Sequence, residues 1–433
     1  MSRSSGSPRV AGPPAWIILD TEAVIADRRN ATTASARTST GEDIQVTLFA
    51  ADPPRDSYFC VHCPGVVEAD EDGAGGVKIR CSHGDLALLS VKLPGGGARH
   101  ANTSDYFIYK AGLRPSLLLL QDIFDDPYSP MPLNDDAPIG ILPYGGGGDE
   151  HFILAALRIV DKGTYKIYVF RSDRGAWASA MFDLGSEVCL EPLEKVIALG
   201  GSELGWVNLR KGILVCDVLG ETPELRFIPL PKLLPTNQYN LWRQRPRYPR
   251  EYRDVVVSGA DGSIRCVEME HQVRRVLPEM PDVSGADVLF DSDLPVGGYS
   301  YDDTPPPVQT AATSGWWRKE HLVHVDDILA SDPDHASLLR EMLAGDDQDG
   351  SDPALTLASL LMDVPSLSVD GGDVVYIMAK VGDMDTKTWS VAVDMERQAL
   401  VEVAPVSVEG YDHYIIIRSN YLSCVLSRYL QTD

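Results

Sequence analysis

Two groups of side chains have the types and spacing that a metal site requires. Cys60-x-x-Cys63 followed by Cys81-x-His83 offers four ligands of the kind a structural zinc ion takes in a tetrahedron. The spacing is imperfect. Cys60 and Cys63 fall in or just beyond an apparent strand, where residues three apart face opposite ways, and only one residue separates Cys81 from His83. Buried thiols plus an incidental histidine is the preferred reading, so no cofactor is expected. The second group is His324-Val325-Asp326 with His413 and Arg418-Ser419 downstream. On a strand, His324 and Asp326 share a face. A further histidine then completes the two-imidazole, one-carboxylate set of a non-haem iron oxygenase, with the Arg-Ser pair placed to grip a dicarboxylate. With 9 His and 63 acids in the chain, a His-x-Asp spacing arises easily, and the oxygenase stands as the alternative reading.

A third group has a binding rather than a reactive character. Arg243, Arg245, Arg247, Arg250 and Arg253 crowd one stretch, interleaved with Trp242, Tyr248 and Tyr252. Guanidinium planes next to aromatic faces grip single-stranded nucleic acid by charge and stacking, or an acidic peptide by bidentate pairing. The competing reading is a loop neutralised by the protein's own acids, Asp302-Asp303 among them. Trp316-Trp317 is the other candidate contact: neighbours on a strand face opposite ways, so one ring is a possible exposed hot spot. The run Gly145 to Gly148 has no following Lys and Ser or Thr, leads into a strand, and reads as a loop. There is no Gly-x-Ser-x-Gly elbow, and the paired acids lie in Pro- or Gly-flanked loops where solvation leaves ordinary acidity. No catalytic residue is nominated.

These groups have to be positioned by a chain of 433 residues, 44% hydrophobic and 23% charged, which is enough to bury an ordinary core. Its 38 Lys and Arg against 63 Asp and Glu leave a formal charge of −25, a field that repels phosphate backbones and anionic membranes. Nucleic acid and membrane are therefore disfavoured as partners, and another protein is expected. The 7 cysteines are sparse, odd in number and mostly set in apolar runs, the pattern of free thiols in a reducing compartment. Residues 1–14 hold no apolar segment of a secretory signal, and no run of 18 apolar residues occurs, so an intracellular location, cytoplasmic or nuclear, is expected.

Short apolar runs such as Trp16 to Asp20, Leu86 to Leu93, Phe152 to Val160, Tyr165 to Phe170 and Val374 to Lys380 read as strands. The 30 Pro and 37 Gly are dispersed between them as punctuation, which leaves little room for long helices in the first 300 residues. Asp261-Gly262 reads as a two-residue hairpin turn. Starts at Asp332-Pro333 and Asp352-Pro353, with leucines at helical spacing behind each, predict a helical insertion over 332–363. Two stretches, Tyr165 to Asp183 and Val374 to Asp394, share a plan of strand, polar turn and Trp-led strand ending in Asp. Repeated small sheets of this sort stack radially, and at about 40 to 50 residues per blade they would make about seven blades. The expectation is an all-β, propeller-like domain over 15–430 after a disordered 1–14. Two packed β-sandwich domains are the alternative.

Several runs resemble a plant family expanded in grasses, the domain-of-unknown-function group numbered sixteen-eighteen. They include Trp16-Ile17-Ile18-Leu19-Asp20-Thr21, Ser57 to Cys63, Leu204 to Leu209, Gly212 to Leu219, Arg253 to Ser258 and Trp317-Arg318-Lys319-Glu320-His321. The resemblance implies no activity, cofactor or catalytic residue. The strand, Trp, strand plan is also similar, more distantly, to propeller domains of plant F-box proteins, although no F-box-like helical segment precedes it. The combined expectation is a non-catalytic, intracellular protein-binding platform.

Overall fold

The computed structural model describes residues 12–64, 66, 76–93, 103–120, 138–145, 151–220, 223–240, 248–270, 296–301, 317–324, 328, 339, 357, 360–380, 387–406 and 421–430. The first strands are β1 (Ile17–Asp20), β2 (Val24–Ile25), β3 (Ala34–Arg37), β4 (Asp43–Phe49) and β5 (Asp56–His62). Five four-stranded blades follow. Blade 1 is β6 (Val77–His83), β7 (Leu86–Leu93), β8 (Thr103–Lys110) and β9 (Ser116–Leu119). Blade 2 is β10 (Ile139–Tyr144), β11 (His151–Asp161), β12 (Thr164–Arg171) and β13 (Ala176–Asp183). Blade 3 is β14 (Lys195–Gly200), β15 (Glu203–Asn208), β16 (Gly212–Asp217) and β17 (Leu225–Pro229). Blade 4 is β18 (Arg253–Val257), β19 (Ile264–Glu268), β20 (Val296–Tyr301) and β21 (Trp317–Val323). Blade 5 is β22 (Leu361–Leu367), β23 (Val374–Lys380), β24 (Trp389–Asp394) and β25 (Ala399–Pro405). The last strand, β26 (Tyr421–Cys424), returns to β1 and completes a six-stranded closing sheet in the order β26-β1-β5-β4-β3, with β2 alongside β5.

The inner strands form a ring. β26 touches β6, and contacts then pass from β6 to β10, β14, β18, β22 and back to β26. The sheets are therefore radial, and each lies between two others instead of pairing into two sandwiches. This explains why the strands read as unbroken apolar runs: both faces of each blade are covered. In β16, Ile213 and Val215 pack toward blade 4 while Leu214 and Cys216 pack toward blade 2. In β1, Ile17 and Leu19 enter the core shared with blade 1, and Ile18 enters the core shared with blade 5. Trp16 reaches across that second interface and meets Tyr376 edge to face at 5.2 Å. Gly140 on β10 sits so close to blade 3 that a Cβ there would lie 2.8 Å from both Leu204 and Val196.

Closure depends on β1 and β26. They pair antiparallel, Ile17 with Cys424 through Asp20 with Tyr421, while β1 pairs parallel with β5 on its other edge. Ser423 Oγ donates to Leu367 O of blade 5 at 3.0 Å, and Arg428 Nε donates to Ala15 O at 2.6 Å. On the other side Ile79 N donates to Thr21 O at 2.7 Å, tying the chain beyond β1 to blade 1.

Four expectations need revision. The described sheets are five blades and the closing sheet, where about seven blades were expected; the strands do not keep an even period, since β19 and β20, neighbours in one blade, stand on either side of 269–295. The two similar stretches are out of phase: Tyr165 to Asp183 supplies the third and fourth strands of its blade, Val374 to Asp394 the second and third. The Asp261-Gly262 turn is wider than two residues. Ser258 N–H donates to Ser263 O at 2.8 Å and Gly262, at φ +74°, donates to Ser258 O, while the neighbouring Gly259 N–H is drawn to Val369 O of blade 5. Of the helical insertion expected at 332–363, only 339, 357 and 360–363 are described. Leu339 is helical and Leu357 lies in a 3-10 turn, but 361–363 open β22. The disordered start expected at 1–14 lies outside the described residues up to residue 11.

Ile18 is fully buried at the closure, whereas Val401 on the outer strand of blade 5 is 51% exposed. Ile18→Ala should lower the free energy of unfolding by about 2–5 kcal/mol, and Val401→Ala should change it by no more than about 0.5 kcal/mol. Urea titration with an unchanged slope checks this; equal costs would mean that β1 is not part of the ring's core.

Candidate functional site

Strand parity gives the ring two unlike faces. Each blade has four alternating strands, so successive inner strands all run the same way, and every connection that enters an inner strand lies on the face where those strands begin, here the lower face. The described strand ends that flank 63–76, 120–138, 184–194, 230–252, 324–360 and 406–420 lie there, as do those that flank 94–102, 269–295 and 381–388 between second and third strands. The upper face carries tight turns such as 84–85, 172–175, 201–202 and 395–398.

Along the axis runs a cavity of about 550 Å³ whose wall takes residues from the closing sheet and from all five blades. Any ring of sheets leaves an axial hole; its chemistry here is particular. Among the described residues, Lys78, Arg80, Lys195, Arg250 and Arg428 line it against the acids Glu22 and Glu194, in a chain whose acids otherwise outnumber its bases. Arg80 is directed there by a β-bulge. Ile79 faces Leu89 and Cys81 faces Leu88, so Arg80 has no opposite number, and the side chains switch cores from Ile79 to Cys81.

The lower end holds an ionic cluster. Lys195 Nζ lies 2.7 Å from Asp254 Oδ1, with both side chains largely buried. Beside it Glu194 Oε2 accepts the Leu209 N–H at 2.9 Å while Oε1 is buried without a hydrogen-bond partner. Burial pushes the Glu194 carboxyl up to about 7, with Arg250 and Arg210 pulling in the opposite direction. Asp20, at the lower end of β1, is also held up to about 7, first by burial and then by the neighbouring acids Asp56 and Glu22, although it accepts the Glu22 N–H at 2.9 Å. At the upper end burial lowers the pKa of His83, opposed by Asp85.

The residues singled out from sequence are distributed through this frame. Cys60 donates its thiol to Ala26 O at 3.2 Å, Cys63 packs in the core between the closing sheet and blade 1, and Cys81 packs between blades 1 and 2 with burial raising its pKa to about 12. Among the described residues, no three His, Cys, Asp or Glu side chains are grouped to hold a metal ion. His324 follows β21 at the lower face, while Asp326 and His413 lie outside the described residues. Of the arginine series, Arg243, Arg245 and Arg247 also lie outside them. Arg250 turns inward to the channel.

Arg253 is fully buried between blades 3 and 4. It donates to Leu209 O at 3.0 Å and Pro231 O at 2.6 Å and faces Glu268 at 3.6 Å, so its charge is spent inside the fold. Trp316 lies outside the described residues, and Trp317 is half-buried, donating its indole N–H to Pro229 O of blade 3 at 2.7 Å. Sequence reasoning did not pick out Lys78, Arg80, Glu194 and Lys195. Lys78 and Arg80 had a signal, a cation at alternate positions of an otherwise apolar strand, Val77-Lys78-Ile79-Arg80-Cys81, whereas Glu194 and Lys195 had none of that kind.

The family model described as "Protein of unknown function (DUF1618)" matches residues 206–376, from within β15 into β23, in keeping with the resemblance read from the sequence. No curated protein matches the chain. Among solved structures, a mutant of the Aleuria aurantia lectin in complex with alpha-methyl-L-fucoside is 10% identical over 92% of this chain and 98% of its own, at a TM-score of 0.32. The WD40 domain of SCAP from fission yeast is 11% identical over 92% of this chain and 89% of its own, at a TM-score of 0.29. The propeller arrangement rests on the strand pairing described above. Among the described residues no helix is long and apolar enough to cross a membrane.

Two raised carboxyls set the sign of a pH response. Between their ordinary values and about 7 the folded state holds protons that the unfolded state has released, so stability falls as pH rises across that window. The melting temperature should drop from pH 5 to pH 8, and Asp20→Asn and Glu194→Gln should each flatten the drop. A slope unchanged in both variants would contradict the burial assigned to these carboxyls.

Proposed function

We propose that the protein is a non-catalytic platform that captures another protein on its lower face, and that it works inside the cell. The observation that carries this reading is the asymmetry of the ring: the inner strands β6, β10, β14, β18, β22 and β26 all begin on one face, so their starts stand together on a rigid frame. The chain leaves β17 and enters β18 on that face, Arg243, Arg245 and Arg247 fall between those two strands in sequence, and Arg250 lines the channel. Cations on an otherwise acidic protein favour a partner that presents acidic side chains. The intracellular part of the proposal rests on the thiols: all seven cysteines are free and six are buried.

Charge reversal separates the two faces. The triple variant Arg243→Glu, Arg245→Glu, Arg247→Glu should lose the partners captured by the immobilised wild-type protein from a cell extract, with its circular dichroism unchanged. Arg174→Glu, in the upper-face turn 172–175, should keep them. Equal losses from both, or from neither, would overturn the assignment of the lower face.

A further inference from the structure

The outer edge of blade 2 is unlike the other outer edges. We propose that a second copy of this chain docks there, its β13 pairing antiparallel with this β13 about a two-fold axis at Ser179. Outer strands expose a row of backbone donors and acceptors, and proteins discourage strand addition there by shortness, charge or proline. β9 has four residues, β17 and β25 carry Arg226 and Glu402 and end on Pro229 and Pro405, and β21 carries Arg318, Lys319 and Glu320. β13 has eight residues, with neither charge nor proline from Ala176 to Phe182, and Ala176, Ala178, Ser179 and Met181 are exposed. Its ladder is set to take a further strand. Leu184 N–H donates to Gly163 O at 2.9 Å, one step beyond the register pair Thr164 and Asp183, so Ala178 and Ala180 bond toward β12 while Ser179 and Met181 turn N–H and C=O outward. Among the described residues no strand lies beyond β13.

The occupant is a copy of the same chain because the strand complements itself. With Ser179 facing Ser179 of the second copy, Ala178 meets Ala180, Phe182 lies opposite the small Ala176, and Met181, 57% exposed, lies beside the half-buried Trp177. Each of these contacts occurs twice. Charge follows the same symmetry: Arg174 precedes the strand and Asp183 ends it, both exposed, so the inversion sets each Arg174 next to Asp183 of the other copy. An unrelated strand has no reason to carry a cation at one end, an acid at the other and an apolar pair spaced evenly about its centre. The two rings then lie side by side and inverted, with their lower faces turned opposite ways. The inference goes beyond the platform reading and stands without it, since the pairing leaves the lower face open.

Sedimentation equilibrium of the full chain tests it. One strand pair makes a small interface, so dissociation in the range of about 1 to 100 µM is expected, and at about 200 µM the wild type should sediment mainly at twice the mass of the chain. Ser179→Lys and Ser179→Glu each set like charges face to face on the axis and should each weaken association by about tenfold or more. An equimolar mixture of these two variants should regain it. Val401→Lys, at an exposed position on the outer strand β25, should leave it unchanged. Should a Ser179 variant fail to fold by circular dichroism, Met181→Lys must show the same loss. A wild type that stays monomeric at about 200 µM, edge variants that associate as the wild type does, or a mixture that remains monomeric would each overturn the proposal. So would a wild type that is monomeric yet captures a different protein in a manner Ser179→Lys abolishes. Ser179→Lys should keep the partners of the lower face, which separates this pairing from the platform.

Discussion

A blade whose two faces are both apolar cannot exist alone; it has to be covered on each side, and a row of such blades has to close on itself. That closure is made by one pairing, β1 against β26, in which a strand from each end region of the described chain supplies the edge the other lacks. Everything inward of it follows. The inner strands are held side by side around an axis, and the four-stranded parity of the blades makes them point the same way. From that direction come the two unlike faces and the channel between them.

The same constraint accounts for how much of the molecule can be read from residues alone. Runs such as Ile213-Leu214-Val215-Cys216 announce strands buried on both faces, and the all-β reading followed from them. Phase was harder. The two similar stretches occupy different places within their blades, because nothing in the pattern of strand, turn and Trp says which strand lies innermost. Blade count was hard to read for a related reason: the strands keep no even period, since β19 and β20 are neighbours in one blade although 269–295 separate them in the chain.

The site was less legible than the fold. Arginines 243 to 253 look alike in sequence, yet Arg253 serves as a buried tie between blades and Arg250 faces the axis. The difference lies in strand start and register, which long-range pairing sets. Cys60, Cys63 and Cys81 illustrate the converse: they read as a possible ligand set, but the bulge at Arg80 turns Cys81 into the core between blades 1 and 2 while Cys63 stays in the core between the closing sheet and blade 1. The channel cations were visible only as polar interruptions of apolar strands, and their common destination needed the ring.

Burying acids costs free energy, and Asp20 at the closure and Glu194 across the ring in blade 3 meet the cost by holding their protons up to about pH 7. Yet the ring's dependence on β1 and β26 is the claim on which the faces, the channel and the ion cluster all rest. Amide hydrogen exchange measured peptide by peptide tests it most directly. If the ring is closed as described, the amides of Ile17–Asp20 and Tyr421–Cys424 exchange only with global unfolding, as slowly as those of β16. Rapid, independent exchange in those two segments, with β16 still protected, would show an open ring and contradict the account.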